Sequence, residues 1–96
     1  ANAWIPQYTE VCYRLSFARV ELGTADETKR SLEQQIKTQK GAATVWQRFE
    51  LGTLYLLNGE AAMARKQARI LRRENKSASD ELLGLIKRRA SGPPSR

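Results

Sequence analysis

The stretch Leu51-Gly52-Thr53-Leu54-Tyr55 combines large and small side chains at a spacing that predicts one half of a packed helical hairpin. Gly52 would let a second helix backbone approach closely, while Leu51 and Tyr55 would fill the space around that contact. A left-handed Gly59 would end the first helix and turn the chain back. The residues expected to pack from the return helix are Ala64, Ala68 and Leu71.

This pattern resembles one tetratricopeptide repeat, in which a Leu-Gly pair, a Tyr, a turn Gly and two Ala residues recur at fixed offsets. The chain departs from the family at Arg48, where a Trp is expected, and at Ala68, where an aromatic residue is usual. Since one repeat cannot bury its apolar face alone, a second is required. A more diverged copy lies N-terminal to this repeat and has Leu15 and Gly23 at the matching positions.

The resemblance implies an all-α fold of antiparallel helical hairpins, stacked as a short right-handed solenoid of about five helices. Pro6 favours a helix start, and Gly23, Gly41 and Gly59 favour helix ends. The predicted organisation is a domain over 1–90, with repeats at about 6–40 and 42–76, a capping helix at about 78–90 and a flexible tail at 91–96.

Composition argues against catalysis, because the chain has no His and a single Cys. Zinc ligation and the usual pairs of nucleophile and base therefore lack their residues, and we expect no enzyme activity, metal or cofactor. Cys12 lies among apolar residues on the first predicted helix, so we expect a buried, unreactive thiol. No apolar run reaches the roughly 20 residues that cross a bilayer. We expect a soluble domain, either cytoplasmic or part of an envelope-associated bacterial protein.

The family's concave groove is lined by the first helix of each hairpin. By resemblance, the groove residues in this chain are Tyr13, Phe17 and Val20 from the first repeat, with Trp46, Phe49, Thr53 and Leu56 from the second. Such an apolar and aromatic groove would suit an amphipathic helix or an extended apolar segment of a partner protein. The alternative is that these aromatic residues form the core, with the fifth helix or the N-terminal segment folded across them.

A second candidate surface is basic. The formal net charge is +7, and the fourth predicted helix places its cations on one side of a helical wheel. These residues are Arg65, Lys66, Arg69, Arg72, Arg73 and Lys76. Such a face could attract an acidic protein, a nucleic-acid backbone or anionic lipid, or it could be the solvated back of the helix.

The sequence therefore predicts a non-enzymatic protein–protein interaction module: an adaptor, an assembly factor or a chaperone-like subunit. Its expected partner is a protein segment with apolar anchors and an acidic flank. By resemblance, small bacterial members of the family serve secretion, pilus and envelope assembly. Two alternatives stay open, namely a basic helical nucleic-acid-binding domain and a self-association module that forms homo-oligomers.

Overall fold

The computed structural model describes residues 3–39 and 44–91, without the side chains of residues 90 and 91. All regular structure within these ranges is α-helical. The helices are α1 (Pro6–Leu22), α2 (Ala25–Gln39), α3 (Val45–Leu57), α4 (Ala61–Glu74) and α5 (Lys76–Ser91). The predicted all-α class with five helices is confirmed for this part of the chain. Ser91 continues α5, whereas the rest of the predicted tail and the predicted helix end at Gly41 lie outside the described residues.

Two glycines turn the chain between helices. Gly23 ends α1 with φ of 77°, and Gly59 lies in the turn after α3 with φ of 83°. After α1, the N–H of Thr24 donates to the carbonyl of Arg19 at 2.9 Å. After α3, the N–H of Glu60 donates to the carbonyl of Tyr55 at 2.8 Å. Both hydrogen bonds satisfy helix-end carbonyls that would otherwise lack a partner, and a glycine supplies the left-handed backbone. The left-handed conformation predicted for Gly59 is confirmed.

Asn75 separates α4 from α5 and caps the second of these helices. Its extended backbone ends α4, and its side-chain Oδ1 accepts a hydrogen bond from the N–H of Ala78 at 3.1 Å. The hydroxyl of Ser79 donates to the Ala68 carbonyl at 2.7 Å, which ties the two helices together. Because the cap falls on Asn75, α5 begins two residues before the predicted position 78.

Helix α3 lies at the centre of the fold. All eight residues of the segment 49–56 are buried, and α1, α2, α4 and α5 each pack against α3. A helix that is apolar on nearly every side requires neighbours on every side. The Leu51–Tyr55 stretch is therefore the core of the whole domain and not of one hairpin alone.

Helices α1 and α5 also meet each other beside α3. The hydroxyl of Thr9 donates to Oε1 of Glu81 at 2.9 Å, and Nη1 of Arg89 contacts the hydroxyl oxygen of Tyr13 at 3.4 Å. This contact joins α1 to α5 along one side of α3. The five helices thus form a compact arrangement, and the predicted solenoid stacking stays a prediction.

Candidate protein-interaction surface

The part of the predicted groove that comes from the second repeat is buried. Phe49 and Thr53 are fully buried, and Leu56 is 4% exposed. These three residues belong to the core and offer no accessible surface to a partner, because α1 and α5 pack along α3 where an open groove was predicted. The sequence left open the alternative that these residues form a core covered by the fifth helix or the N-terminal segment. That alternative is correct for Phe49, Thr53 and Leu56.

Trp4 is the residue that covers Phe49 from the N-terminal side. The two rings stack with centroids 4.4 Å apart, and the indole N–H of Trp4 donates to the hydroxyl of Thr9 at 2.8 Å. Trp46, predicted for the groove, lies half-buried with its ring 5.4 Å from Trp4 and 5.7 Å from Tyr8. The N-terminal segment and α3 therefore share one aromatic cluster. The position of Trp4, two residues before the helix start at Pro6, was the only sequence signal for this cover.

The groove residues predicted from the first repeat do not form one surface either. Tyr13 is half-buried beside Arg89, and Val20 packs partly buried against the core. Phe17 is 51% exposed. The structure thus separates the seven predicted residues into core positions, rim positions and one exposed aromatic side chain.

Small polar side chains fill the contact between α1 and α3. The hydroxyls of Ser16 and Thr53 lie 2.6 Å apart, and both residues are buried. Since the Thr53 hydroxyl already donates to the Glu50 carbonyl at 2.8 Å, Ser16 is the donor in this pair. Arg19 forms an ion pair with the carboxylate of Glu50, which is 5% exposed. Polar groups on this side of α1 are therefore satisfied inside the protein.

Cys12 lies on the same inner side of α1 and is fully buried, as predicted. Burial raises the pKa of its thiol to about 12, the nearby Glu50 carboxylate adds to the rise, and Arg19 opposes it. Because the thiolate is the reactive form, such a thiol is inert at neutral pH.

The outer side of α1 carries a row of exposed apolar side chains, whereas its inner side buries small residues and the partly buried Val20. We call this set the outer stripe: Tyr8, Val11, Leu15, Ala18 and Leu22, all of them exposed. Leu22 is 77% exposed and Val11 is 45% exposed. On a helical wheel at 100° per residue, the five positions fall within an arc of about 80°. The centre of this arc lies roughly 110° around the helix from the centre of the buried positions Thr9, Cys12 and Ser16. Helix α1 therefore exposes a row of apolar side chains that an ordinary surface helix would bury.

The spacing of the outer stripe is that of a coiled-coil seam. Its positions advance by alternating steps of three and four residues, which is the heptad pattern of residues that pack against another helix. Such residues on a helix normally predict a core-facing side, so the sequence alone could not reveal that they face outward. The polar pairs between α1 and α3 are the reason that they do.

The predicted basic surface is exposed on α4. Five of its six residues, Arg65, Lys66, Arg69, Arg72 and Arg73, are exposed and form no ion pair within the described part of the chain. Lys66, Arg69 and Arg73 surround Ile70 in a shallow depression of about 410 Å³. Lys76 is a correction, because it is the first residue of α5 and its ammonium group pairs with Asp80 at 3.0 Å.

A polar cleft of about 340 Å³ lies between α2 and α3. The Arg19–Glu50 pair forms part of its lining together with Trp46 and Gln47. In the described ranges, no group of three or more His, Cys, Asp or Glu side chains is placed to hold a metal ion. None of the helices among these residues is long and apolar enough to cross a membrane.

Comparisons of the chain with protein-family models, with curated proteins and with solved structures found no match. The resemblance to tetratricopeptide repeats therefore rests on the sequence pattern and stays a prediction.

Proposed function

We propose that this chain is a non-enzymatic protein–protein interaction module that binds a helical segment of a partner through the outer stripe of α1. One observation carries the proposal: a heptad-spaced row of apolar side chains is exposed on α1, while the buried positions of the same helix hold only the small residues Thr9, Cys12 and Ser16. A contiguous exposed apolar row of this kind marks a contact surface.

The chemistry of the stripe indicates the class of partner. Tyr8, Val11, Leu15 and Leu22 provide an aromatic residue and three branched aliphatic residues along one side of a straight helix. Side chains in this arrangement pack into the spaces between the side chains of a second helix. An extended strand would instead require unpaired backbone donors and acceptors, which α1 does not offer because its own helix uses them. An amphipathic helix is therefore the segment that fits.

The basic face of α4 gives the module a second property. Its five cations, which form no ion pair among the residues that the structure describes, would attract a partner that carries acidic residues and would raise the rate of encounter at low ionic strength. This role agrees with the predicted acidic flank of the partner. Nucleic-acid binding by the same face is the competing use, and it lacks the stacked aromatic side chains that single-strand binders carry among their basic residues.

The resemblance to tetratricopeptide repeats supports the same class of function, because that family consists of scaffolds that hold other proteins. We therefore propose the role of an adaptor, an assembly factor or a chaperone-like subunit. The outer stripe replaces the predicted inner groove as the contact surface in this proposal, since Phe49, Thr53 and Leu56 are core residues.

Two matched substitutions test whether the stripe is a contact surface. Leu15 and Leu83 are each 40% exposed, on α1 and on α5 respectively. A photo-crosslinking residue at position 11 should form discrete adducts in cell extract, with a second copy of the chain or with another protein, and Leu15→Glu should abolish those adducts while Leu83→Glu should retain them. Circular dichroism should show both variants fully helical. Equal adducts in the two variants, or none above those from a crosslinker at the exposed position 34 on α2, would refute the proposal.

A further inference from the structure

We infer that the helix that packs on the outer stripe is α1 of a second copy of this chain, in antiparallel orientation. This inference rests on the proposed function and names the occupant of the outer stripe alone, so the basic face of α4 is left for an acidic partner of the dimer. The charges beside the stripe select both the occupant and the orientation.

One flank of the stripe carries two opposite charges. In the heptad that places Tyr8, Leu15 and Leu22 at the first position, Arg14 and Glu21 each stand directly before a stripe residue, at equivalent flanking positions. When two such helices pack antiparallel, this flank of one copy faces the same flank of the other. Arg14 then lies opposite Glu21 of the second copy, and Glu21 lies opposite Arg14 of the second copy. The two-fold symmetry therefore forms the ion pair twice.

The parallel arrangement would bring like charges together. In a parallel pair, each flank faces the opposite flank of the partner helix, and Arg14 would lie beside Arg19 of the second copy. Arg19 already pairs with the buried Glu50 and holds its position on α1. Like charges in such contact disfavour an arrangement, and although Glu50 offsets part of the Arg19 charge, the flanks favour the antiparallel pair over the parallel one.

The short length of the stripe limits the affinity of the dimer. Helix α1 has 17 residues, and its outer stripe from Tyr8 to Leu22 is about 21 Å long at 1.5 Å per residue. A seam of two heptads is too short to fold two isolated helices. Helix α1 is already ordered by its packing on α3, and association therefore does not carry the cost of folding it. A contact of this size matches weak, reversible dimers that bury less than about 1,200 Å².

Sedimentation over a concentration series of about 1 to 500 µM measures the association and the charge pattern together. We expect a reversible dimer for the unmodified chain and at least a tenfold weaker dimer for Leu15→Glu, with no change for Leu83→Glu. Arg14→Glu should weaken an antiparallel dimer by about threefold to tenfold, because the carboxylate introduced at position 14 then faces Glu21 of the second copy. The combined variant Arg14→Glu with Glu21→Arg should restore association.

Arg69→Glu on α4 is the control for the lower net charge of Arg14→Glu, and it should leave the dimer unchanged. The restored double variant also controls for the loss of the Arg14–Glu10 contact of 3.3 Å within α1, since it lacks that contact as well. If Arg14→Glu strengthened association, the parallel arrangement would be correct and the antiparallel inference would be wrong.

Cysteine cross-linking reads the orientation directly. In the antiparallel pair, position 11 of one copy lies near position 22 of the other, whereas the two copies of position 22 are separated by roughly 16 Å along the axis. Under mild oxidation, a mixture of Val11→Cys and Leu22→Cys should give a mixed disulfide dimer, and Leu22→Cys alone should stay monomeric on a denaturing gel. The buried Cys12 does not interfere, because its thiol is inaccessible.

Different experimental results would overturn this inference and the proposed function. An unmodified chain that stays monomeric to about 500 µM would overturn the second copy as occupant. The stripe would still be a contact surface if the adducts at position 11 depended on Leu15 and not on Leu83. Loss of that dependence would overturn the proposed function itself.

Discussion

Gly52 on α3 and Leu82 on α5 are in direct contact, because a Cβ atom added to Gly52 would lie 2.6 Å from Cδ2 of Leu82. Leu82 is fully buried at this contact. The absent side chain of Gly52 therefore makes room for α5. From the sequence, we expected Gly52 to allow a close approach of α3 and α4. In the structure, the side chain next to Gly52 is Leu82 of α5.

Gly52→Ala should therefore destabilise the protein in spite of the better helix propensity of alanine. We expect a net loss of about 1–2 kcal/mol in the free energy of unfolding, since overpacking costs about 1–3 kcal/mol and the propensity returns up to about 1 kcal/mol. Urea unfolding measures this loss. Combining it with Leu82→Ala should cost less than the sum of the two single changes.

Gly84→Ala is the matched control for that measurement. An added Cβ at Gly84 on α5 would meet only the flexible end of Arg88, at 3.8 Å. We expect this variant to be neutral or up to about 1 kcal/mol more stable. A similar loss at both glycines would show that the cause is not the Leu82 contact.

The ion pair of Arg19 with the buried Glu50 gives a second prediction. Arg19→Met should destabilise the fold by about 3 kcal/mol, because it leaves a buried carboxylate without its partner. Replacing both residues, Arg19→Met with Glu50→Leu, should recover most of that loss. Thermal and urea unfolding of the three variants test the coupling. Additive losses in the double variant would contradict it.

Local signals in the sequence were sufficient for three of the helix boundaries. Pro6, Gly23 and Gly59 act through their own backbone conformation, which is independent of distant residues, and the structure places helix ends at each of them. The cap at Asn75 was missed because several polar residues follow one another there and each could serve as a cap.

The orientation of α1 could not be predicted in the same way. Periodicity shows that Val11 and Leu15 share a side of the helix, and such a side normally faces the core. The inner side contains Ser16 instead, which is stable there because it donates to Thr53 at a distant point in the sequence. Burial of a polar side chain depends on its tertiary partner, and the sequence of one helix does not name that partner.

Stability should fall at alkaline pH through two buried acidic groups. Burial raises the pKa of Cys12 from 9.0 to about 12. Burial likewise raises the pKa of Tyr55 from 10.0 to about 12, assisted by its hydrogen bond to Glu33 at 2.8 Å. In the unfolded chain these groups ionise at their ordinary values. Their contribution is therefore complete below about pH 9 and is lost as the pH rises from about 9 to 12.

Each group should cost about 1.4 kcal/mol per pH unit wherever only the unfolded chain ionises it. Lys29 acts in the same direction: burial lowers its pKa, but hydrogen bonds with Glu60 and Asp26 outweigh burial and raise it overall. Urea midpoints at about pH 7, 9 and 10.5 measure the slope. Tyr55→Phe and Cys12→Ala should each flatten it, and an unchanged slope in both variants would contradict this account.

Trp4 should act as a structural cover for the aromatic cluster. It is 8% exposed, whereas its neighbour Ile5 is 39% exposed. Trp4→Ala should cost about 3–5 kcal/mol, while Ile5→Ala should cost less than about 1 kcal/mol. Unfolding followed by circular dichroism gives both values. Equal small losses would mean that the N-terminal segment does not hold Phe49 in the core.

The basic face of α4 should affect the binding of polyanions but not the stability of the fold. Reversing Arg65, Arg69 and Arg73 to Glu should change the free energy of unfolding by less than about 0.5 kcal/mol per residue, since all three are exposed and unpaired within the described residues. The unmodified chain should bind a polyanion such as single-stranded RNA only at low salt, with an affinity that falls steeply between about 50 and 200 mM salt. Fluorescence anisotropy of a labelled oligonucleotide measures this binding. The triple reversal should abolish it and leave self-association intact, whereas tight binding that persists at about 200 mM salt would favour a nucleic-acid-binding function over the proposed protein partner.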